Sequence, residues 1–467
     1  AAAGIYGSRG ANGVILITTK RGKKGAKPTF NFSANVGTSQ PVARPNILNS
    51  QEWLQLRQEA WELDGNTGAV WLPGYSLISD SPEERLAAFN EASQHNTDWW
   101  DLLTQTGIRQ NYDFSSRFNV GDLSAYVGTS YTNNESFIEG NRFERLSGRL
   151  NLDYKIMKNL DLSLSTSFSR GLNDRVQLAY TGGIGSAMST ALPIYPVYND
   201  EGEFFLGNTR RIDNPVMAAN QWQGYTIDDR TINTLSLKYN PIKNLNITVS
   251  GGYDYLDQKN DQWNGGILRN VTDDDENPIG ESERDVRWVE NYNLNAIAEY
   301  DWELNDDNRF KFLVGTEYQE TVTSGFSNLR YTGTGVFSTV FRGDVPEDQL
   351  NTQELNRFDN DVIKFASYFA RVNYSYKDKY YLQGTIRTDG SSKFGPDNRF
   401  GFFPVVSGAY MISEEDFMKD INFINFLKLK VAYGRMGNSN IARDQFRQRY
   451  ELNPLGVYNG NAIRFPL

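Results

Sequence analysis

Residues 146 to 169 set the pattern of the chain. Leu146, Gly148, Leu150, Leu152, Tyr154 and Ile156 fall on one face of an extended segment, and Ser147, Arg149, Asn151, Asp153 and Lys155 on the other. Met157-Lys158-Asn159 reads as a tight turn, after which Leu160, Leu162, Leu164, Thr166 and Phe168 alternate with Asp161, Ser163, Ser165, Ser167 and Ser169. Two such runs about a turn predict a β-hairpin. The alternation returns around Leu245, Ile247, Leu294, Phe312 and Leu429, each beside polar neighbours. The template predicts about thirteen strands between Thr29 and Arg435.

Alternation does not say which face is wet. A soluble sandwich buries the apolar face, whereas a membrane barrel turns it outward. Three features favour the membrane. The runs reach ten or more residues, longer than the usual ~5–6 of soluble sheets. Tyr292, Tyr300 and Trp302 share one face, and the ten residues from Tyr292 to Trp302, at ~3.3 Å rise and ~45° tilt, span roughly 23 Å, the height expected between aromatic girdles. Short turns near 119–121, 157–159, 241–244, 305–308 and 376–379 alternate with mostly larger connections near 133–141, 171–229, 257–287, 320–361 and 390–397. The expectation is an all-β transmembrane antiparallel β-barrel, with a large soluble β-sandwich as the alternative. Thirteen strands with two open edges would leave backbone groups unpaired in lipid, so further strands or another chain must complete the wall.

Composition narrows the chemistry. Across 467 residues there is no cysteine and one histidine, His95, which removes thiolate chemistry and His-based zinc sites and leaves a single weak candidate for a catalytic triad. The net charge of −10 gives nucleic acid nothing in the average field. Mean hydropathy is −0.57 and no run is long and apolar enough for a membrane helix, a test to which barrel strands are blind. The acidic run Asp273-Asp274-Asp275-Glu276-Asn277 invites calcium, yet Pro278 and Arg284 stand where an EF-hand needs Gly and Glu. It reads as a solvated loop, and no cofactor is expected. Paired carboxylates, as in glycosidases, are the one enzyme reading left, and no motif singles out a pair. The expectation is that the chain is not an enzyme.

The opening is rich in glycine: Gly4, Tyr6, Gly7, Arg9, Gly10, Asn12 and Gly13 precede the apolar run Val14–Thr19, which could form a short strand, and the basic stretch Lys20, Arg21, Lys23, Lys24 and Lys27. It lacks the G-K-[ST] ending of a P-loop. The basic stretch reads as a solvated hinge rather than a nucleic-acid patch. Residues 3–22 closely resemble the end of the plug domain of TonB-dependent outer-membrane transporters of the SusC/RagA family. Arg387–Gly395, Arg399–Pro404, Leu427–Lys430 and Tyr433–Asn438 resemble later signatures of that family, in the same order. The resemblance implies an outer-membrane plugged barrel of about 22 strands. Residues 1–27 would then be the C-terminal end of the plug with its linker, and residues 28–467 the N-terminal part of the barrel. The rest of the plug and the TonB-binding segment would lie outside this sequence, which reads as a piece of a longer protein. The resemblance further implies a SusD-like surface lipoprotein partner, coupling to TonB, and import of a nutrient, an oligosaccharide before a peptide.

With the basic linker at the periplasmic rim, the first strand (about 29–38) runs outward and 40–106 is an extracellular segment. Two helices are expected there. One starts near Ser50 with Trp53, Leu56, Ala60 and Trp61 on one face; the other starts at Ser81-Pro82-Glu83-Glu84, a capping box. Seven of nine tryptophans fall in predicted outer connections. Trp53 and Trp61 read as helix staples. Trp99, Trp100, Trp222 and Trp263 are candidates for substrate contact, with packing as the equal alternative. A passive porin, a structural surface barrel and a soluble carbohydrate-binding β-protein are the rival functions.

Overall fold

A computed structural model describes residues 2–10, 13–25, 27–176, 183–207, 214–266, 280–333, 351–353, 356–418, 423–442, 445–447, 456–458 and 461–463. Its main element is one antiparallel meander in which each strand pairs with the next. The strands are β1 (Thr29–Ser39), β2 (Gly107–Val120), β3 (Leu123–Glu135), β4 (Arg142–Met157), β5 (Leu160–Arg175), β6 (Trp222–Tyr239) and β7 (Leu245–Asn264). They continue as β8 (Gly280–Asn305), β9 (Asn308–Gly333), β11 (Asn356–Tyr376), β12 (Tyr380–Ser391), β13 (Phe400–Met411) and β14 (Lys428–Gly434). The short β10 (Asn351–Gln353) adds to the far end of β9, and β15 (Gly456–Tyr458) pairs separately with β16 (Asn461–Ile463). Among the described residues β1 and β14 each have one neighbour.

The register fixes two continuous faces. One carries Leu235, Leu294, Val314, Ile386, Phe402 and Leu429, which remain 48%, 55%, 56%, 53%, 55% and 56% exposed. Leu160, Leu162 and Ile247 are half-buried by neighbours on this same face, so the apolar stripes share no interior. The soluble-sandwich alternative fails here, because among the described residues no second sheet covers the stripe. Tyr292, Tyr300 and Trp302 stand on that face, 44%, 38% and 41% exposed. Toward the short turns, Trp302 stacks on Phe310 at 5.4 Å, Phe310 on Tyr374 at 4.7 Å, and Tyr380 on Tyr410 at 5.0 Å. No helix among the described residues is long and apolar enough to cross a membrane.

Three expectations need correction. The walls are taller than the alternation implied: β8 and β9 each run 26 residues and β11 runs 21. At the far end of the neighbouring β7 both faces are polar (Asp257, Lys259 and Asp261 on one, Gln258, Asn260 and Gln262 on the other), so the apolar signal stops while the backbone ladder continues. Trp222 and Trp263 therefore lie in β6 and β7 rather than in loops, at positions paired with Asn264 and Gln223. The strict alternation of short and long connections also breaks: residues 412–427, on the short-turn rim, are a longer link with two 3-10 turns. Finally, Val14–Thr19 forms no strand; Ile15, Leu16 and Ile17 are 89%, 81% and 81% exposed, because no described strand lies alongside to share their hydrogen bonds.

Helices gather at the long-loop rim. α1 (Ser50–Leu63) starts on an Asn49/Glu52 capping box, and α2 (Pro82–Ala92) on the Ser81/Glu84 box with Pro82 at its first turn. α3 (Trp99–Leu103), α4 (Gly183–Ser189) and α5 (Pro215–Gln221) complete a small cap whose core includes Leu54, Val70, Leu72, Trp99, Trp100, Ile194 and Tyr195. On α1 the buried position is Leu54, whereas Leu56 is 56% exposed, one step round from the expected face.

Adjacent residues on opposite faces give a direct test. Leu235→Arg, inside the apolar band, should cost about 2–4 kcal/mol of unfolding free energy in lipid vesicles. Thr234→Arg, its neighbour on the polar face, should stay within about 1 kcal/mol. Equal costs in denaturant titrations would refute the assignment of faces.

Candidate functional site: an opening segment held on the polar face

The polar face meets the opening of the chain at two places. In the first, a 3-10 segment (Ala2–Arg9) turns at Gly7, φ 53°, in the left-handed region that favours glycine. A Cβ there would sit 2.3 Å from Asp389 Oδ2 and 2.7 Å from Arg387 Cδ. The bend lets the Ser8 amide and hydroxyl both donate to Asp389 Oδ2, at 2.7 and 2.8 Å. Asp389 Oδ1 accepts from Arg387 Nε at 2.5 Å. The Arg387 guanidinium also donates to the Ile5 carbonyl at 2.7 Å and to Ser367 Oγ at 2.8 Å, and lies 3.3 Å from Glu317. Arg9 pairs with the other Glu317 oxygen at 2.6 Å, donates to Gln319 at 2.9 Å, and lies 4.3 Å above the Phe365 ring.

Two cations and two carboxylates thus close on each other, so the cluster carries no net charge. The Arg387 and Asp389 side chains are 3% and 2% exposed. Burying such a pair is expensive, and it is tolerated because the remaining donors and acceptors are also matched. Removing one partner alone should cost roughly 3–5 kcal/mol.

The second place is nearer the short turns. Asn151, fully buried, donates to the Lys20 carbonyl at 2.7 Å while its oxygen accepts from Ser165 at 2.6 Å. Arg21 pairs with Asp153 at 2.5 Å, and Lys24 with Asp122 at 2.8 Å. Gly22 lies against the wall so closely that a Cβ would be 2.6 Å from the Ala125 amide. These pairs are exposed, so each contributes little and weakens with salt. The basic stretch is therefore clasped to β3 and β4 rather than freely solvated.

Of the other singled-out residues, Tyr6 is 38% exposed, Gly10 is buried, and Gly13 has φ 89° in open space. Asn12 and the acidic run 273–277 lie outside the described residues. Trp99 is 1% exposed with its indole N–H donating to the Leu192 carbonyl at 2.9 Å, and Trp100 is 7% exposed. Both rings are packed into the cap, where Trp99 also lines a cavity with Trp53 and Arg44. Trp222 and Trp263 are half-buried near the tops of their strands. Among the described residues no group of three or more His, Cys, Asp or Glu could hold a metal ion. The Arg387–Asp389 pair was not singled out from sequence as a site; its signal is an arginine and an aspartate two apart on the polar face of an otherwise neutral strand.

In the cap, Arg44 pairs with Asp98, which caps α3 by accepting from the Asp101 amide at 3.1 Å. Burial pushes the Asp98 carboxyl up, but the Arg44 hydrogen bond and charge and the Asp101 amide outweigh it, so it sits below the usual carboxylate value.

No family model matches the chain. Over 462 residues it is 29% identical to the TonB-dependent receptor P26 of Formosa agariphila, covering 95% of this chain and 42% of that one. With the TonB-dependent receptor SusC of Bacteroides thetaiotaomicron it shares 28% over 486 positions, 100% of this chain and 44% of SusC. The chain thus spans less than half the length of these relatives. The solved RagAB peptide transporter superposes on all of it with a TM-score of 0.79 at 20% identity, covering 53% of that structure's chain. The RagAB peptide importer in its open-open state gives the same score at 21% identity and 52% coverage. In fold, the chain matches about half of a RagAB-type β-barrel. Two motifs of this SusC/RagA-like chain that lie far apart in sequence, around Ser8 and Asp389, meet in one hydrogen-bonded cluster.

Gly7→Ala should force the bend out of the wall. A strained non-glycine φ and the clash together should cost at least ~1–3 kcal/mol, about tenfold or more in the open population. Trypsin cleavage after Arg9 should accelerate by that factor; an unchanged rate would refute the latch. For Asp98, a lowered carboxylate stabilises the fold above its unfolded value of about 3.9, and that contribution is lost as pH falls through the folded value. Asp98→Asn should therefore lower the cap's thermal midpoint at pH ~7, read by tryptophan fluorescence, and the gap should close near pH ~2. A gap unchanged at low pH would overturn this assignment.

Proposed function

We propose that the full-length protein imports a nutrient across the outer membrane, driven through TonB, with a SusD-like surface lipoprotein closing the outer mouth. The observation that carries this is the opening segment, pinned to the polar face by a charge-neutral latch, buried at Ser8 and part-exposed at Arg9, and by a solvated clasp at Arg21 and Lys24. Residues 1–27 act in this reading as the end of a plug, with Tyr6, Gly7, Arg9, Gly10, Asn12 and Gly13 shaping its fit, and Tyr292, Tyr300 and Trp302 as part of the membrane girdle. Further strands close the wall beyond β1 and β14, because open edges are not stable in lipid. A passive pore would have no need of a segment held so specifically across its lumen. The barrel binds and releases; it performs no chemistry on its cargo.

An oligosaccharide is the favoured cargo. The polar face is rich in short hydroxyl side chains, such as Ser130, Ser147, Ser167 and Ser169, which both donate and accept hydrogen bonds as sugar hydroxyls require. Trp222 and Trp263, near the outer mouth, are tryptophan candidates for contact with it.

Uptake of labelled oligosaccharide mixtures by whole cells tests the reading. Uptake should fall to background when either this protein or TonB is deleted. Uptake that survives loss of TonB, together with swelling of liposomes carrying the intact protein, would identify a passive porin instead.

A further inference from the structure

The apolar face of the wall ends at one height. On β5, β6, β7, β9 and β11 its first charges are Arg170, Asp229, Asp257, Glu320 and Lys364, and each stands ten positions from a residue near the short turns: Leu160, Tyr239, Ile247, Phe310 and Tyr374 respectively. The register keeps them on that one face, with Asp229 opposite both Arg170 and Asp257, and Glu320 opposite Lys364. Ten positions at ~3.3 Å rise and ~45° tilt span roughly 23 Å, so this belt lies where lipid tails give way to headgroups. Each of the five strands is paired on both sides, and the belt faces outward, on the side of the wall that a plug within the lumen does not touch.

Within the belt the cations form the outer layer. Arg170 lies 3.7 Å from Asp229, Lys259 3.5 Å from Asp257, and Lys364 3.6 Å from Glu320. The three cationic side chains are 61%, 42% and 57% exposed, whereas their carboxylates are 29%, 22% and 26% exposed. Tyrosine hydroxyls hold further acids back against the sheet: Tyr318 donates to Glu320, and Tyr292 to the half-buried Glu290. The three cation–carboxylate separations exceed the ~2.7–3.2 Å of an N–H···O hydrogen bond. Each cation therefore keeps donors for a second anion, while the carboxylate behind it fixes where it stands.

We propose that Arg170, Lys259 and Lys364 dock the phosphate groups of a glycolipid of the outer leaflet against the barrel wall. The proposal goes beyond the import reading and shares with it only the outward placement of the long connections. A guanidinium or ammonium makes charge-assisted hydrogen bonds to phosphate oxygens. Directly below, the exposed apolar face around Leu235 and Leu294 receives the acyl chains of the same molecule. A free phosphate would satisfy only the upper half of this surface. The cations stand on separate strands, so they form a row of headgroup contacts along the wall rather than one pocket.

Native mass spectrometry of the full-length protein in detergent, titrated with phosphorylated lipid A, the same lipid stripped of phosphate, and phosphatidylglycerol, decides the matter. Phosphorylated lipid A should bind at least tenfold more tightly than the stripped form, and millimolar inorganic phosphate should not displace it. The triple substitution Arg170→Gln, Lys259→Gln and Lys364→Gln should cost phosphorylated lipid A at least tenfold and the stripped form far less; heat-modified gel mobility confirms that the variant is folded. Glu320→Gln, which leaves Lys364 in place, should keep or strengthen binding. Equal binding of the two lipid A forms, displacement by free phosphate, or an unaffected triple variant overturns the proposal. So does a loss in Glu320→Gln as large as in the triple variant, because the cations would then serve only to pair with the wall. Phosphatidylglycerol bound as tightly, with the same dependence on the cations, overturns the glycolipid assignment. If cells take up nutrient through TonB while lipid A binding fails, this proposal alone falls; if lipid A binds as expected and no TonB-dependent uptake exists, only the import reading falls.

Discussion

Within a bilayer, a strand's backbone N–H and C=O groups have only neighbouring strands to bond. That constraint explains the thirteen-strand meander and its long registers, shifted only at Lys155/Met157, Arg284/Val286, Glu303/Asn305 and Phe358/Asp361 among the described residues. Once the ladder is fixed, side chains alternate without choice. The outward set must suit hydrocarbon, and the inward set, freed from that demand, becomes polar. A polar inner face then provides the acids, amides and hydroxyls that hold the opening segment. One requirement on the backbone thereby reaches from the lipid to the lumen.

The two attachments of the opening segment differ in kind. At Ser8 the contacts to the buried Arg387–Asp389 pair are dry and shaped by a glycine bend, with the part-exposed Arg9 neutralising Glu317 at their edge; at Arg21 and Lys24 they are wet and electrostatic. A dry cluster resists salt but fails abruptly when one member moves, because the charge left behind is stranded. A wet clasp loosens gradually. Together they restrain the segment firmly at one end and compliantly where it joins β1.

Much of this was legible before any coordinates. The hairpin at 146–169 is found with its turn in place, because mostly apolar and polar residues alternate along both of its strands, and both helix starts follow from capping boxes that are local in sequence. The upper walls were not legible, since above the membrane both faces of β7 to β9 are polar and period two loses its contrast. Val14–Thr19 misled for the opposite reason: its residues favour a strand, yet a strand exists only with a partner. Trp99 and Trp100 were ambiguous because an indole suits a binding surface and a core equally, and burial is decided by Leu72, Leu192 and Tyr195, far along the chain. The meeting of Ser8 with Asp389, 381 positions apart, is a product of register that no local pattern encodes.

Strand length has a consequence for the entrance. A 26-residue strand such as β8 or β9 measures about 86 Å, or roughly 60 Å in height at ~45° tilt, against a band of only ~25 Å in lipid. Most of that excess stands on the side of the long connections, as a collar of hydrogen-bonded wall. The mouth of the channel is consequently built from rigid sheet and lies well clear of the headgroups. A single insertion into that wall must be taken up as a bulge, as at Arg284/Val286, or it would turn every side chain above it inside out.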